Sequence, residues 1–150
     1  MTSIKDSIQK DFQTGKKVEV KLLKKLNKLY NNSFVACANQ YDLFDMVNND
    51  KNIYVELKSR RNQLNQYETT IIGTNKIKKS IQHHKNNISS YYMFKFNDKK
   101  SIYYIKFEPE LFNTFKTEYI TRHDRQTTKL HTHIPTDLLK KLNSESLNII

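Results

Sequence analysis

The longest regular pattern of hydrophobic positions lies near the start of the chain, in residues 16–31. Apolar side chains recur there every three or four residues, which is the spacing of one face of an α-helix. They are Val18, Leu22, Leu23, Leu26, Leu29 and Tyr30. The pattern predicts an amphipathic helix that follows Gly15 and packs on a sheet through this face.

Three short segments after this helix have the composition of strands, with β-branched, aromatic or alternating residues. They span residues 34–38, 41–47 and 53–60. The polar residues 48–52 separate the second segment from the third, so these two can pair as a β-hairpin. Together the three segments predict a meander.

A second hairpin is predicted from residues 91–96 and 102–107, which are rich in aromatic residues and are separated by a polar turn. A helix is predicted at residues 74–86, with Thr74 as its N-cap. The remaining expectations are a short strand or turn at 69–72, a short helical or irregular piece at 110–116, a strand at 131–134 and a C-terminal helix at 136–142. With two glycines, two prolines and no linker, residues 1–150 are expected to form one α/β domain.

The net charge points to a polyanionic partner, because 26 Lys and Arg face 15 Asp and Glu, a formal charge of +11. Nucleic acid is the first candidate. The abundance of Lys, Asn and Ile leaves another explanation open, since an AT-rich genome, such as that of a phage or a large DNA virus, enriches these residues without any function. The lone Cys37, the lack of a signal peptide and the lack of a long apolar run predict a soluble intracellular protein without a membrane partner, in the host cytoplasm or nucleoid if it is viral.

The candidate chemistry lies in the predicted hairpin. Side chains alternate along a strand, so Glu56 and Lys58 share one face while Val55 and Leu57 point into a core. Pairing of the two strands would bring an upstream aspartate toward Glu56. The alternative is an edge strand that carries exposed charges against aggregation.

Two carboxylates that converge on one point repel each other unless a cation lies between them. Ligand sets made only of oxygen favour Mg²⁺ or Mn²⁺ over zinc. A water with a pKa lowered by the metal can attack a phosphodiester, while Lys58 orients it or stabilises the charge that develops on phosphorus. The hairpin therefore favours a nuclease.

At these residues the chain resembles the PD-(D/E)XK nuclease superfamily, of phage or viral type, over roughly residues 15–107. The resemblance implies a restriction-endonuclease-like core, with a mixed central sheet of about five strands flanked by helices, and an Mg²⁺- or Mn²⁺-dependent DNA endonuclease. It implies Asp45, Glu56, Lys58 and Glu19 as catalytic residues. The implied metal ligands are the carboxylates of Asp45 and Glu56 and the backbone carbonyl of Leu57.

Two assignments within this set keep alternatives. Asp42 competes with Asp45, because positions an odd number apart face opposite sides of a regular strand. Asp45 is the choice, since Phe44 and Met46 beside it can take the core side. Glu19 could reach the metal site or could pair instead with a lysine one turn away.

Basic residues around this site are candidate DNA contacts, because Arg and Lys bind phosphates. They are Arg60, Arg61, Lys76, Lys78, Arg122 and Arg125. Of these, Lys76 follows Thr69 and Thr70 in a segment that resembles one after the Glu-X-Lys strand of some viral and phage members. A non-catalytic nucleic-acid-binding module and a structural or partner-binding protein remain the other hypotheses, and a homodimer is expected if both strands of a duplex are cut.

Overall fold

Two β-sheets and three helices make up the described part of the chain, residues 4–31, 33–37, 43–122 and 126–147 of a computed structural model. The helices are α1 (Ile4–Leu29), α2 (Thr74–Lys85) and α3 (Pro109–Phe112). The strands are β1 (Val35–Ala36), β2 (Met46–Asn48), β3 (Ile53–Ser59), β4 (Thr69–Gly73), β5 (Ser89–Lys95), β6 (Tyr103–Lys106), β7 (Thr117–Arg122), β8 (Thr127–Pro135) and β9 (Lys140–Lys141).

The main sheet is mixed and has six strands, in the order β1-β2-β3-β5-β6-β9. Strands β1 to β3 form the predicted meander, and β5 and β6 form the second predicted hairpin. Strand β3 is antiparallel to β2 and parallel to β5. A parallel pair needs a crossover, and here β4 and α2 provide it. Strand β3 therefore lies near the centre of the sheet. Helix α1 packs on one face of the sheet and helix α2 on the other.

Helix α1 covers one face of this sheet with its predicted apolar stripe. Leu22 and Leu26 are buried against Val55 and Met93 of the two central strands. The helix begins twelve residues before the predicted start at residue 16 and runs through Gly15, because one glycine in a helix costs only about 1 kcal/mol and does not end it.

The opposite face of the sheet packs on α2 and on a second, three-stranded sheet. Aromatic side chains of β5, among them Tyr92 and Phe94, are fully buried there against Ile72 and Ile134 of the second sheet. The second sheet has the order β4-β8-β7. The structure thus confirms a strand at 69–72 and extends the one at 131–134 to Thr127–Pro135.

Strand β7 was not predicted, because five of its six residues are exposed and the strand has no alternating apolar pattern. Two further predictions were wrong. Residues 136–142, expected to be a helix, form a 3-10 turn at Thr136–Leu138 followed by β9. The chain is extended there because β9 pairs with β6 and Leu142 is buried in the core beside α1. The N-cap of α2 is Gly73, not Thr74, and it makes no side-chain capping bond.

Strand β2 is shorter than the predicted segment at 41–47. It begins at Met46, and Asp45 precedes it. Asp42, the alternative to Asp45, lies outside the described residues. Within the described residues no helix is long and apolar enough to cross a membrane.

Candidate active site

Glu56 lies in the middle of β3, and its side chain points toward α2. Only 3% of its surface is exposed. Its two carboxylate oxygens each have a lysine partner: Oε1 lies 3.4 Å from Nζ of Lys58, and Oε2 lies 3.2 Å from Nζ of Lys76. The strand alternation predicted for Glu56 and Lys58 is therefore present, with a second lysine from α2.

The surroundings raise the pKa of Glu56 to about 7. Burial is the largest cause, and the nearby Asp45 carboxylate raises the pKa further. Lys58 and Lys76 act in the opposite direction. Burial and the Asp45 carboxylate together therefore outweigh the two lysines.

Asp45 is held against β3 by two hydrogen bonds. Its backbone N–H donates to the carbonyl of Val55 at 2.9 Å, and its Oδ2 accepts from the backbone N–H of Leu57 at 2.7 Å. The carboxylate here takes the place of a backbone carbonyl in the ladder, so regular pairing begins only at Met46. Since the N–H and C=O of one strand residue point to the same side, the Leu57 carbonyl lies on the edge that Asp45 occupies.

Glu19 reaches this place from α1. Burial is the largest cause of the raised pKa of Glu19. The charge of Asp45 and a hydrogen bond between the Glu19 and Asp45 side chains raise it further. Glu19 also forms an ion pair of 3.3 Å with Lys16. Both alternatives considered for Glu19 are therefore present: it lies beside Asp45 and it pairs with a lysine one turn away.

Lys76 occupies a different place from the one its sequence context suggested. Its Nζ donates to Glu56 and to the backbone carbonyl of Leu43, and its side chain is 18% exposed, so its ammonium group points into the candidate site. No periodicity could have revealed this, because the contact depends on how α2 crosses the sheet.

A buried hydroxyl pair fixes the first turns of α2 over Glu56. Tyr92 is the neighbour of Glu56 in the parallel ladder and is fully buried. Its hydroxyl donates to the backbone carbonyl of Lys76 at 3.2 Å and is bonded to Ser80 Oγ. Tyr92 and Ser80 were not singled out from the sequence, where a tyrosine-rich strand is typical of packing.

The predicted DNA contacts differ in how far they are exposed to solvent. Arg60 points inward, with Nε 3.2 Å from Thr70 Oγ1, a second bond to the Ile71 carbonyl, and its guanidinium over the Phe94 ring. Burial is the main reason that the pKa of Arg60 is lowered to about 10, and this geometry favours a structural role.

The other basic candidates lie at the surface. Arg61, Lys78 and Arg122 are exposed, and Arg125 lies outside the described residues. The charge of Arg122 contributes to the lowered pKa of Arg60, so the end of β7 comes near the site.

The oxygen donors suit a hard divalent cation in kind. Asp45, Glu56 and the Leu57 carbonyl provide only oxygen atoms. The charge of Asp45 raises the pKa of Glu56, so a cation between the two carboxylates would be favourable. No three His, Cys, Asp or Glu side chains among the described residues are, however, close enough to form a complete metal centre. The predicted ligands therefore match such an ion in chemical type, although they do not form a complete coordination shell of side chains.

Comparison with known families decides the class of protein. Residues 5–142 match the model of a family described as "Phage putative PDDEXK endonuclease". The chain belongs to this family. Membership of this PDDEXK endonuclease family confirms the resemblance inferred from the hairpin and agrees with a phage origin.

A solved structure supports the fold of this member of the family. The chain is similar to Hjc of Archaeoglobus fulgidus, described as a Holliday junction resolvase from an archaeal hyperthermophile and determined at 1.6 Å resolution. The TM-score is 0.52 at 14% identity, over 85% of this chain and 97% of the Hjc chain. The likeness confirms the restriction-endonuclease-like fold. No curated protein matches the chain.

Proposed function

We propose that this protein hydrolyses DNA phosphodiester bonds with Mg²⁺ or Mn²⁺ as its cofactor. The observation that carries the proposal is the meeting of Asp45, Glu56 and Lys58 at the end of the β2–β3 hairpin. Asp45 is bonded to the backbone of Leu57, next to Glu56, and Lys58 lies 3.4 Å from Glu56. The chain belongs to a family described as endonucleases, and phosphodiester hydrolysis is the reaction proposed for these residues.

The cofactor is proposed from the chemistry of the donors. Asp45, Glu56 and the Leu57 carbonyl would hold a divalent cation, since hard oxygen ligands suit Mg²⁺ and Mn²⁺. When bound, the cation supplies an attacking water of lowered pKa and offsets negative charge on the phosphate.

The other roles follow from what each side chain can reach. Lys58 is 37% exposed, so its ammonium group can orient the attacking water and donate to a phosphate oxygen as charge develops there. Lys76, at 18% exposure, holds the opposite oxygen of Glu56. Glu19 orients the carboxyl of Asp45 from the α1 side. Exposed Arg61, Lys78 and Arg122 are proposed to bind phosphates around the cut, together with Arg125.

One observation favours a second candidate, a nucleic-acid-binding module without catalysis. Lys58 and Lys76 each pair with one oxygen of Glu56, and no three His, Cys, Asp or Glu side chains among the described residues form a complete metal centre. A basic domain in this state could bind DNA through its charge alone.

Cleavage of labelled linear, nicked, branched and single-stranded DNA with and without Mg²⁺ or Mn²⁺ separates the two. We expect the wild type to cut only with the cation. Glu56→Gln and Lys58→Met should each lower kcat by roughly 100-fold or more, because each removes a group that acts on the reacting phosphate or holds the ion.

Matched controls come from exposed positions of the same residue types. Glu110→Gln in α3 and Lys100→Met in the β5–β6 turn change charge in the same way, and they should cut like the wild type. Salt-sensitive DNA binding by a wild type that cuts none of the substrates would replace the nuclease with the binding module.

One active centre cuts one strand at a time, so a homodimer that presents two centres to a duplex is part of the proposal. Sedimentation at increasing concentration, with and without a four-way junction, tests it. A monomer under all these conditions that still cuts both strands at one place would exclude the dimer.

A further inference from the structure

Strands β7 and β8 extend well beyond the rest of the second sheet. Strand β4 pairs with β8 only from His131 onward, whereas β7 remains paired with β8 as far as Arg122, opposite Thr127. Residues 119–122 and 127–130 therefore form a two-stranded ribbon with no third strand.

The ribbon has no core of its own. Tyr119 is 72% exposed, and every residue of β7 except Ile120 is exposed. A cross-strand hydrogen bond of 2.7 Å joins Thr121 to Thr128. Only Ile120 and Leu130 are half-buried, and a two-stranded ribbon with so little packing is marginally stable in water.

Charge on the ribbon has one sign. Its described residues include Arg122 and Lys129 and no carboxylate. The pairing of Ile120 with Lys129 and of Arg122 with Thr127 places the two cations diagonally on one face, roughly 7–8 Å apart at the backbone. This face suits a polyanion.

The ribbon also lies beside the candidate active site. Arg122 is near enough to Arg60 for its charge to lower the pKa of Arg60, and Arg60 in turn is near enough to Glu56 to respond to its charge. Arg60 also bonds to Thr70 of β4, and Thr70 pairs with Ile134 of β8, the strand that continues into the ribbon. The ribbon therefore lies within electrostatic reach of a polyanion bound at the candidate site.

We propose that the ribbon occupies the major groove of duplex DNA bound at the active site, with Arg122 and Lys129 toward the phosphates. The groove is about 12 Å wide and admits a two-stranded ribbon, whereas a single strand offers no groove. The inference rests on the proposed function and adds the substrate class to it, namely duplex DNA or a duplex arm of a branched molecule.

Lys129→Gln tests the ribbon, with Lys24→Gln as the matched control. Lys24 is an exposed lysine of α1, which covers the opposite face of the main sheet. Fluorescence anisotropy without divalent cation, on a duplex and on a single strand of equal length, gives both affinities across a range of salt.

We expect Lys129→Gln to weaken duplex binding by roughly fivefold and to reduce the slope of log K against log salt by about 1, because one phosphate contact is lost. Single-strand binding should change by less than about twofold, and Lys24→Gln should change neither affinity by more than that. Tyr119→Ser changes the opposite, exposed face of the ribbon, which the groove also encloses, so we expect it too to weaken duplex binding selectively.

Equal effects of Lys129→Gln and Lys24→Gln, or equal losses on duplex and single strand, would overturn the ribbon assignment. Cleavage of the same duplex with Mg²⁺, measured in parallel, keeps the two proposals apart. Wild-type cleavage with an unaffected Lys129→Gln removes the ribbon alone. Duplex-selective binding through the ribbon without cleavage removes the nuclease alone.

Discussion

Glu56 is subject to opposing influences in its buried position on β3. Burial and the Asp45 carboxylate raise its pKa, and two lysines lower it. The pKa of about 7 is the net result, and it links the site to the stability of the whole protein. In the metal-free protein the charged form of Glu56 is less favourable when folded than when unfolded.

The free energy of unfolding should therefore depend on pH through this residue. Between the ordinary pKa of 4.5 and about 7 the folded state binds the additional proton, so stability falls as pH rises through this window. Without divalent cation, Glu56→Gln should exceed the wild type in stability by about 2–3 kcal/mol at pH 8, and by much less at pH 4.5.

Urea denaturation at the two pH values measures both differences, with Glu110→Gln as the control for removal of an exposed carboxylate. A difference between Glu56→Gln and the wild type that is the same at pH 4.5 and pH 8 would contradict the assignment of the raised pKa to Glu56.

At the scale of elements, the hairpin and the crossover helix each bring one part of the site into place. The β2–β3 hairpin places Asp45 beside Leu57 and Glu56. Helix α2 places Lys76 over the same carboxylate, where Tyr92 and Ser80 hold its backbone. Each contact can be removed separately.

Two substitutions at Asp45 should separate its structural role from its chemical one. Asp45→Asn keeps an oxygen acceptor for the N–H of Leu57, so stability should change little while cleavage is lost with the charge. Asp45→Ala should lose cleavage and also about 1–2 kcal/mol of stability, because the Leu57 donor loses its partner. Thermal unfolding and a cleavage assay on both proteins check this, and equal stability of the two variants would contradict the role of the hydrogen bond.

Tyr92→Phe should affect the rate and not the binding of DNA. Without its hydroxyl, the first turns of α2 lose a contact at the Lys76 carbonyl, so kcat should fall by roughly tenfold with KM nearly unchanged. Tyr91→Phe is the control, because Tyr91 lies on the opposite face of the same strand and its hydroxyl bonds to no described residue. A similar kcat for both variants would exclude Tyr92 as a positioning residue.

The sequence was informative where one face of an element is buried and regular. The apolar stripe predicted the core helix α1, and the aromatic runs at 91–96 and 102–107 predicted the second hairpin. The alternation of residues 53–60 predicted the strand on which Glu56 and Lys58 share a face. Strand β7 has no buried face, so it carried no signal, and the segment at 136–142 was too short for its helical spacing to outweigh the pull of Leu142 into the core. Lys76 could not be placed because its contact depends on a crossover rather than on local spacing.

The whole molecule has a net charge of +11, yet it places the carboxylates of Asp45 and Glu56 close enough to raise the pKa of Glu56. A ligand that binds only the folded state raises the apparent stability by mass action. A divalent cation at Asp45 and Glu56 should therefore stabilise the entire fold.

Melting curves with increasing Mg²⁺ at pH 8 should shift upward for the wild type, and the shift should be absent for Glu56→Gln. Both proteins need the same ionic strength, set with NaCl, so that screening is constant. An equal shift in the two proteins would mean that Mg²⁺ binds elsewhere.

The lengths of the outermost strands bear on how the protein behaves at high concentration. Both edge strands of the main sheet, β1 and β9, have two residues each in the described part of the chain, so they present little unpaired backbone to a neighbouring molecule. Strand β7 is longer, with six residues and a free edge, but Glu118 and Arg122 place charges along it. Neutralising those charges would turn the second sheet into the first place at which copies of this chain could join strand to strand into aggregates.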